Sequence, residues 1–190
     1  MNKSHIITLP NKHLRQRSQR VGVITEAVHK LAQDMQDATL SWEESREHEV
    51  GVALAAVQVD KLQRVIVIRN NFDNKTDKSF QVYINPEVTK AFGELVEDFE
   101  GCLSIKNIYG KVPRYNKVKI KALNLQGKEI RVTTEGFLAR VLQHEIDHTK
   151  GIVFIDHIKD SKDAFFELKD DGSLEHLDYE KHIKNNNILW

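Results

Sequence analysis

The sequence predicts an α+β fold, with antiparallel or mixed β-sheets packed around one central helix. Three observations predict it. Val65-Ile66-Val67-Ile68 is a strand by composition. Between residues 64 and 132, short apolar or alternating segments recur with polar turn residues between them. After them, a stretch of helical period opens near Thr134 and ends in His144-Glu145-Ile146-Asp147-His148.

Pro10 and the basic run after it read as an irregular lead-in. Ile24, Val28, Leu31, Met35 and Ala38 recur at steps of four and three, which predicts an amphipathic helix ending near Leu40. The charged stretch 41–49 is a helix extension or a surface loop. Residues 64–69 and Phe80 to Ile84 form a hairpin around polar 70–78, and Asn85-Pro86 closes it, because proline donates no ladder hydrogen bond. A further strand over 94–99 runs into Glu100-Gly101-Cys102-Leu103-Ser104, and a loop follows through Lys111-Val112-Pro113-Arg114. Val118 to Leu123 and Lys128 to Val132 then pair around Asn124-Leu125-Gln126-Gly127. The second helix takes Thr133 or Thr134 as its N-cap and Gly151 as its closing residue. Ile152 to Ile155 is a buried strand or extended segment, and Asp170-Asp171-Gly172-Ser173 sits in a hairpin between Phe165–Leu168 and Leu174–Leu177. The apolar end, Ile188-Leu189-Trp190, is expected to dock on the protein.

A chain of 190 residues suits one domain. We divide it into a catalytic domain over 1–158 and a C-terminal extension of the same domain, a hairpin and tail, over 159–190. Lys+Arg and Asp+Glu balance at 28 each, which argues against nucleic-acid and membrane-surface binders. A single cysteine, Cys102, permits no internal disulfide and suits a reducing compartment. No apolar run approaches the roughly 20 residues a bilayer requires. Arg15, Arg17 and Arg20, with no acid before Glu26, faintly resemble an organelle transit peptide; a surface segment of the domain is the favoured reading.

The chemistry centres on H-E-x-x-H. Histidines at i and i+4 share a helix face and can reach one cation, while Glu145, rotated by about 100°, stands beside it without being a ligand. Both histidines continue the apolar line Phe137, Val141, His144, His148, and burying them without a partner would cost several kcal/mol. A catalytic metal takes three protein ligands. The H-E-x-x-H-x-x-G-x-x-H pattern fails here, because Phe154 stands at its last position. Glu167 is a second candidate, and Cys102, a soft thiolate beside a glycine, is the stronger one.

The stretches Gly51-Val52-Ala53-Leu54-Ala55-Ala56-Val57-Gln58, Glu100-Gly101-Cys102-Leu103-Ser104 and Gln143-His144-Glu145-Ile146-Asp147-His148 resemble, in order and spacing, the three motifs of peptide deformylases. Pro10, Leu14-Arg15, Asn85-Pro86, Val112-Pro113-Arg114 and Gly151 to Asp156 support the likeness, which covers residues 5–158. The resemblance implies one divalent metal on Cys102, His144 and His148, with Glu145 as general acid/base. Fe²⁺ is the family's usual ion; Zn²⁺, Ni²⁺ or Co²⁺ suit the same donors. It implies that metal-bound water attacks the formyl carbon of an N-formyl-methionyl peptide, with the oxyanion held by the Gln58 amide and the Leu103 N–H. Formate and a free N-terminus are released. Gly51, Val52, Ala53 and Gly101 would contact the peptide backbone, Glu100 would pair with Arg114 as scaffold, and Phe137 and Val141 would form part of the methionine pocket.

The implied partners are nascent chains, with the ribosome as a candidate and neither membrane nor sequence-specific nucleic acid. The implied setting is a bacterial-type cytoplasm, with an organelle second. The sequence departs from the motif at Ala53, where the family has its second glycine, and at Val57. Segment 41–49 is longer than usual; it and the tail after Lys159 are expected to be surface decoration. Two alternatives stay open: a zinc endopeptidase whose third ligand is Glu167 or Asp156, and a non-catalytic metal- or peptide-binding module.

Overall fold

The short strands expected between Phe80 and Leu123 join into two long ones. In the computed structural model, which describes residues 1–184, β3 (Phe80–Cys102) and β4 (Ile105–Leu123) run antiparallel along most of their length. Asn85-Pro86 therefore does not end a strand. It lies in a register shift between Ile84 and Glu87, where a residue without an N–H breaks no ladder bond. Asn85 takes the left-handed conformation (φ 52°) that Asn tolerates, and its side chain clasps the backbone of Val21 through two hydrogen bonds of 2.8 Å. Pro113, expected in a loop, sits in β4 opposite Glu97. It falls between the part of β4 that pairs with β6 (Phe165–Leu168) and the part that pairs with β5 (Glu129–Glu135), an edge position that proline can occupy.

The described strands make one antiparallel sheet in the order β1 (Ala53–Ala55), β2 (Val65–Arg69), β3, β4, β6, β7 (Leu174–His176), with β5 also on β4. Side chains alternate across it. Leu54, Val65, Val67, Val82 and Ile84 pack against Val28, Leu31, Met35 and Ala38 of α1 (Glu26–Glu43). Ala53, Ala55, Ile66, Ile68 and Tyr83 pack against Val141, Leu142 and Ile146 of α2 (Gly136–His148). Both faces of β2 are thus covered, which is why its sequence is a continuous apolar run.

Two helix ends differ from expectation. The first helix runs a turn past Leu40, and its terminal Glu43 accepts a hydrogen bond from the Gly51 amide (2.9 Å) and pairs with Arg69 (2.5 Å). Thr133 and Thr134 do not cap the second; they remain in β5 opposite Lys119 and Val118. Glu135 is the N-cap, and the positive φ of Gly136 turns the strand directly into the helix. Gly151 closes that helix with φ 78°. A side chain there would also meet the Arg15 carbonyl at 2.4 Å.

Residues 154–157 form a 3₁₀ turn rather than a strand, because the Asp156 carboxylate accepts the Val153 amide (2.9 Å) and winds the chain. Phe154 and Ile155 are buried all the same. Neither terminal region is decoration. Leu14 is fully buried, Arg15 pairs with Asp156, and Arg20 pairs with Glu87. Strand β6 extends the sheet beside residues 108–110, and Phe165, Leu177 and Ile183 share a core cluster with Cys102, Ile105 and Phe154. The expected docking of Ile188-Leu189-Trp190 lies outside the described residues. Among the described residues no helix is long and apolar enough to cross a membrane.

Candidate metal centre

The inner stripe of α2 carries His144 and His148 into the interior, with ring centroids 4.9 Å apart. The end of β3 brings Cys102 to them, its Sγ 3.3 Å from His148 Nε2. One ligand atom from each of the three lies within 4.8 Å of the others, and all three residues are buried. Two nitrogens and a thiolate at this spacing are a three-ligand donor set that leaves a coordination position open. Of the three buried polar atoms without a hydrogen-bond partner among the described residues, Ser18 Oγ, Glu145 Oε2 and His148 Nδ1, the Glu145 oxygen belongs to a residue that lines the site cavity. Such an atom costs about 1–3 kcal/mol, so its presence here fits a site completed by something other than the chain. The residues fit a bound divalent ion.

Glu100 organises the cluster from behind. Its Oε2 lies 2.9 Å from His144 Nδ1, Arg114 donates to both of its oxygens (2.9 and 3.1 Å), and Arg140 donates to Oε1 (2.8 Å). Burial alone would raise the Glu100 pKa, but these donors overcome it and hold it at about 2. The carboxylate keeps the proton of His144 on Nδ1, which turns the Nε2 lone pair toward the site. Arg114 also reaches Asp147 (2.5 Å), which accepts from His157 as well (2.8 Å), so two carboxylates balance two arginines. For His148, burial pushes the pKa well down, favouring the neutral, ligating form. Burial pushes Glu145 the other way, to about 7, the range of a group that takes and returns a proton near neutrality.

Gln58 is held by an interaction that defines which end of its amide faces the site. The Ala55 N–H can only donate, and it donates to Oε1 (2.8 Å), so Nε2 points at Ser104 Oγ (3.1 Å) and Cys102 Sγ (3.5 Å). Gly101 matters for a close approach: a Cβ there would lie 2.6 Å from the Tyr109 ring.

A cavity of about 270 Å³ opens in front of these groups. Gln58, Gly101, Cys102, Leu103, His144 and Glu145 line it on one side, with Val52, Ala53, Phe137 and Val141 around them. Of residues 51–53, expected to pair with a peptide, Ala53 alone offers its backbone to the open edge. The Val52 carbonyl accepts the Arg69 N–H (2.8 Å), so strand alternation turns the polar groups of Ala53 away from β2. Gly51 does not line the cavity; its amide goes to Glu43, and a Cβ there would strike the Thr39 carbonyl at 2.7 Å. Glu167 and Asp156, the alternative third ligands, lie elsewhere: Glu167 pairs with Lys169 in β6, and Asp156 with Arg15.

Several site residues escaped the sequence reading. Arg140 lines the cavity and holds Glu100; as a charge four residues before His144 on an apolar stripe, it carried a legible signal. Ser104, fully buried against Gln58, had no such signal, nor did Trp42, His48, Glu49 and Tyr109, which form another part of the wall.

Comparison with known proteins agrees with this arrangement. The polypeptide deformylase family model matches residues 3–164. The chain is 44% identical over 158 residues to a peptide deformylase of Thermomicrobium roseum, covering 82% of this chain and 85% of that protein. It is 40% identical over 157 residues to peptide deformylase 3 of Shewanella oneidensis, covering 83% and 90%. Among solved structures, a peptide deformylase from Legionella pneumophila superposes with a TM-score of 0.70 at 39% identity, covering 80% of this chain and 83% of that one. A match across most of the chain, in sequence and in backbone, leaves one assignment: the chain belongs to the polypeptide deformylase family.

Proposed function

We propose that the protein removes the N-formyl group from formyl-methionyl nascent chains with one divalent ion held by Cys102, His144 and His148. The juxtaposition of that donor set with Gln58 and Glu145 in one cavity carries this reading. When bound, the ion supplies a nucleophile at neutral pH by lowering the pKa of water from about 15.7 toward about 7. Fe²⁺ is the ion we assign first, and Zn²⁺, Ni²⁺ or Co²⁺ suit the same donors.

The chain's own residues do the rest. Ala53 pairs its backbone with the extended peptide at the edge of β1. Gln58 Nε2 and the Leu103 N–H are aimed at the oxygen that becomes negative, where one donor is typically worth about 2.7–4 kcal/mol. Buried Glu145 accepts the proton of the attacking water and returns it to the leaving amine. Phe137 and Val141 receive the methionine side chain. The substrate places the protein where translation occurs, in a cytoplasm of bacterial type, beside the ribosome.

Anaerobic incubation of Fe²⁺-loaded protein with formyl-Met-Ala-Ser is expected to release formate stoichiometrically with free amine. Cys102→Ser is expected to lose both bound metal and activity. A folded Cys102→Ser variant that keeps metal at wild-type stoichiometry refutes the ligand set, and absence of formate from the loaded wild type refutes the activity.

A further inference from the structure

The cavity has a wall from outside the three motifs. The last two residues of α1 and the stretch that follows, residues 42–49, contribute Trp42, His48 and Glu49 to the lining, which Phe137 and Val141 also join. This segment is fastened at both ends and in the middle. Glu43 accepts the Gly51 amide and pairs with buried Arg69, closing the segment at its base. Arg46 lies over the Trp42 ring at 5.2 Å, donates to Asn107 (2.8 Å) and faces Glu49 (3.3 Å). The Tyr109 hydroxyl donates to Glu49 (2.7 Å), and the Tyr109 ring lies against Gly101, the residue before Cys102. Burial and this bond to Glu49 raise the Tyr109 pKa, so it remains a donor. The far side of the segment meets the C-terminal hairpin, where a Cβ on Gly172 would come within 2.9 Å of His48.

Arg46 and Glu49 thus satisfy each other within the wall, with Tyr109 completing the shell of Glu49. The rings this wall offers a substrate are those of Trp42, Tyr109 and His48. An apolar side chain entering the cavity meets residues of α2 and these rings together.

We propose that segment 42–49 is the specificity-determining wall of the cavity, with Trp42 limiting the size of the first side chain and the Glu49–Tyr109–Arg46 contacts holding the wall in place. The inference rests on the deformylase reading and adds to it a determinant supplied by the end of α1 and the residues that follow it. Trp42 supplies a large ring to the lining, and removing the indole opens room for a larger side chain.

The test compares kcat and KM on formyl-Met-Ala-Ser and formyl-Phe-Ala-Ser for the Fe²⁺-loaded wild type, Trp42→Ala, Trp42→Phe and Tyr109→Phe. Thermal unfolding and metal stoichiometry verify that each variant is folded and loaded. Trp42→Ala is expected to raise the Phe-to-Met ratio of kcat/KM about tenfold, the scale on which pocket volume discriminates, with the change carried by KM. Trp42→Phe should fall between. Tyr109→Phe keeps the ring but frees Glu49, and is expected to raise KM several-fold for both peptides. Folded Trp42 variants with the wild-type ratio overturn the wall. Should Trp42→Ala fail to fold, Trp42→Phe and Tyr109→Phe decide: an unchanged ratio in the first with an unchanged KM in the second overturns it equally. Wild-type protein that releases formate from neither peptide refutes the deformylase activity itself, a separate result.

Discussion

Glu100 is the residue on which the electrostatics of the site turn. It is 5% exposed, yet it remains ionised because Arg114, Arg140 and His144 all face it. Removing one partner from a buried charged network leaves the others uncompensated and typically costs about 3–5 kcal/mol. Glu100→Gln is therefore expected to lower the stability measured by urea unfolding at pH 7 by about that amount. The pH dependence has a definite sign. The folded-state pKa is depressed to about 2 from an ordinary 4.5, so the stabilisation is present in full above 4.5 and lost as pH falls toward 2. At ~1.4 kcal/mol per pKa unit it amounts to about 3 kcal/mol. The gap between wild type and Glu100→Gln should accordingly narrow between pH 4.5 and pH 2; a gap that stays constant across that window would show that Glu100 does not titrate in it. At this scale the sequence was legible for His144, His148 and Cys102, whose chemistry is restricted to few roles. For Arg140 the one signal was its place beside the apolar stripe of α2, which competes with the usual solvated role of an arginine inside a helix.

At the scale of elements, β1 shows why a short strand can be read only in part. Its small residues do not announce an edge strand, but Ala53 and Ala55 fill a narrow space against α2 while Leu54 faces α1. Ala53, which stands where the family motif has glycine, is 5% exposed and needs no left-handed backbone. Ala53→Gly is therefore expected to weaken the protein: a glycine inside a strand loses about 0.5–1 kcal/mol through backbone entropy, roughly 1–4 °C in the unfolding midpoint for a chain of this size. A midpoint that rises instead would mean that the methyl crowds the strand. For α2, periodicity predicted the buried face, and the N-cap was missed by a residue or two. The start of that helix depends on how far β5 stays paired to β4, which no local pattern encodes.

The whole molecule holds together through segments that look dispensable in sequence. Phe165 belongs to the C-terminal hairpin, is fully buried, and shares a cluster with Cys102, Ile105 and Phe154. Phe165→Ala should cost about 3–5 kcal/mol, roughly 10 °C in the thermal midpoint, and should speed loss of metal to a chelator because the cluster includes a ligand. An unchanged midpoint would return the hairpin to the status of surface decoration. Similarly, the segment after α1 is charged enough to suggest a solvated loop, but its Arg46 and Glu49 are spent on Asn107, Tyr109 and one another.

The amino-acid sequence by itself determined the α+β class, the amphipathic faces of both helices and the β2–β3 hairpin, and its H-E-x-x-H pattern with a lone cysteine pointed to the cluster of Cys102, His144 and His148. Each depends on periodicity over a few residues or on side chains with narrow chemistry. Tertiary structure alone decided that Phe80 to Cys102 is one strand, that Glu43 takes the Gly51 amide, and that Trp42, His48 and Glu49 face the cavity. Those outcomes depend on partners 8 to 60 positions away, as in Gly51 with Glu43 and Tyr109 with Glu49. A local pattern carries no information about which distant group will satisfy a buried amide or carboxylate; the folded chain supplies it.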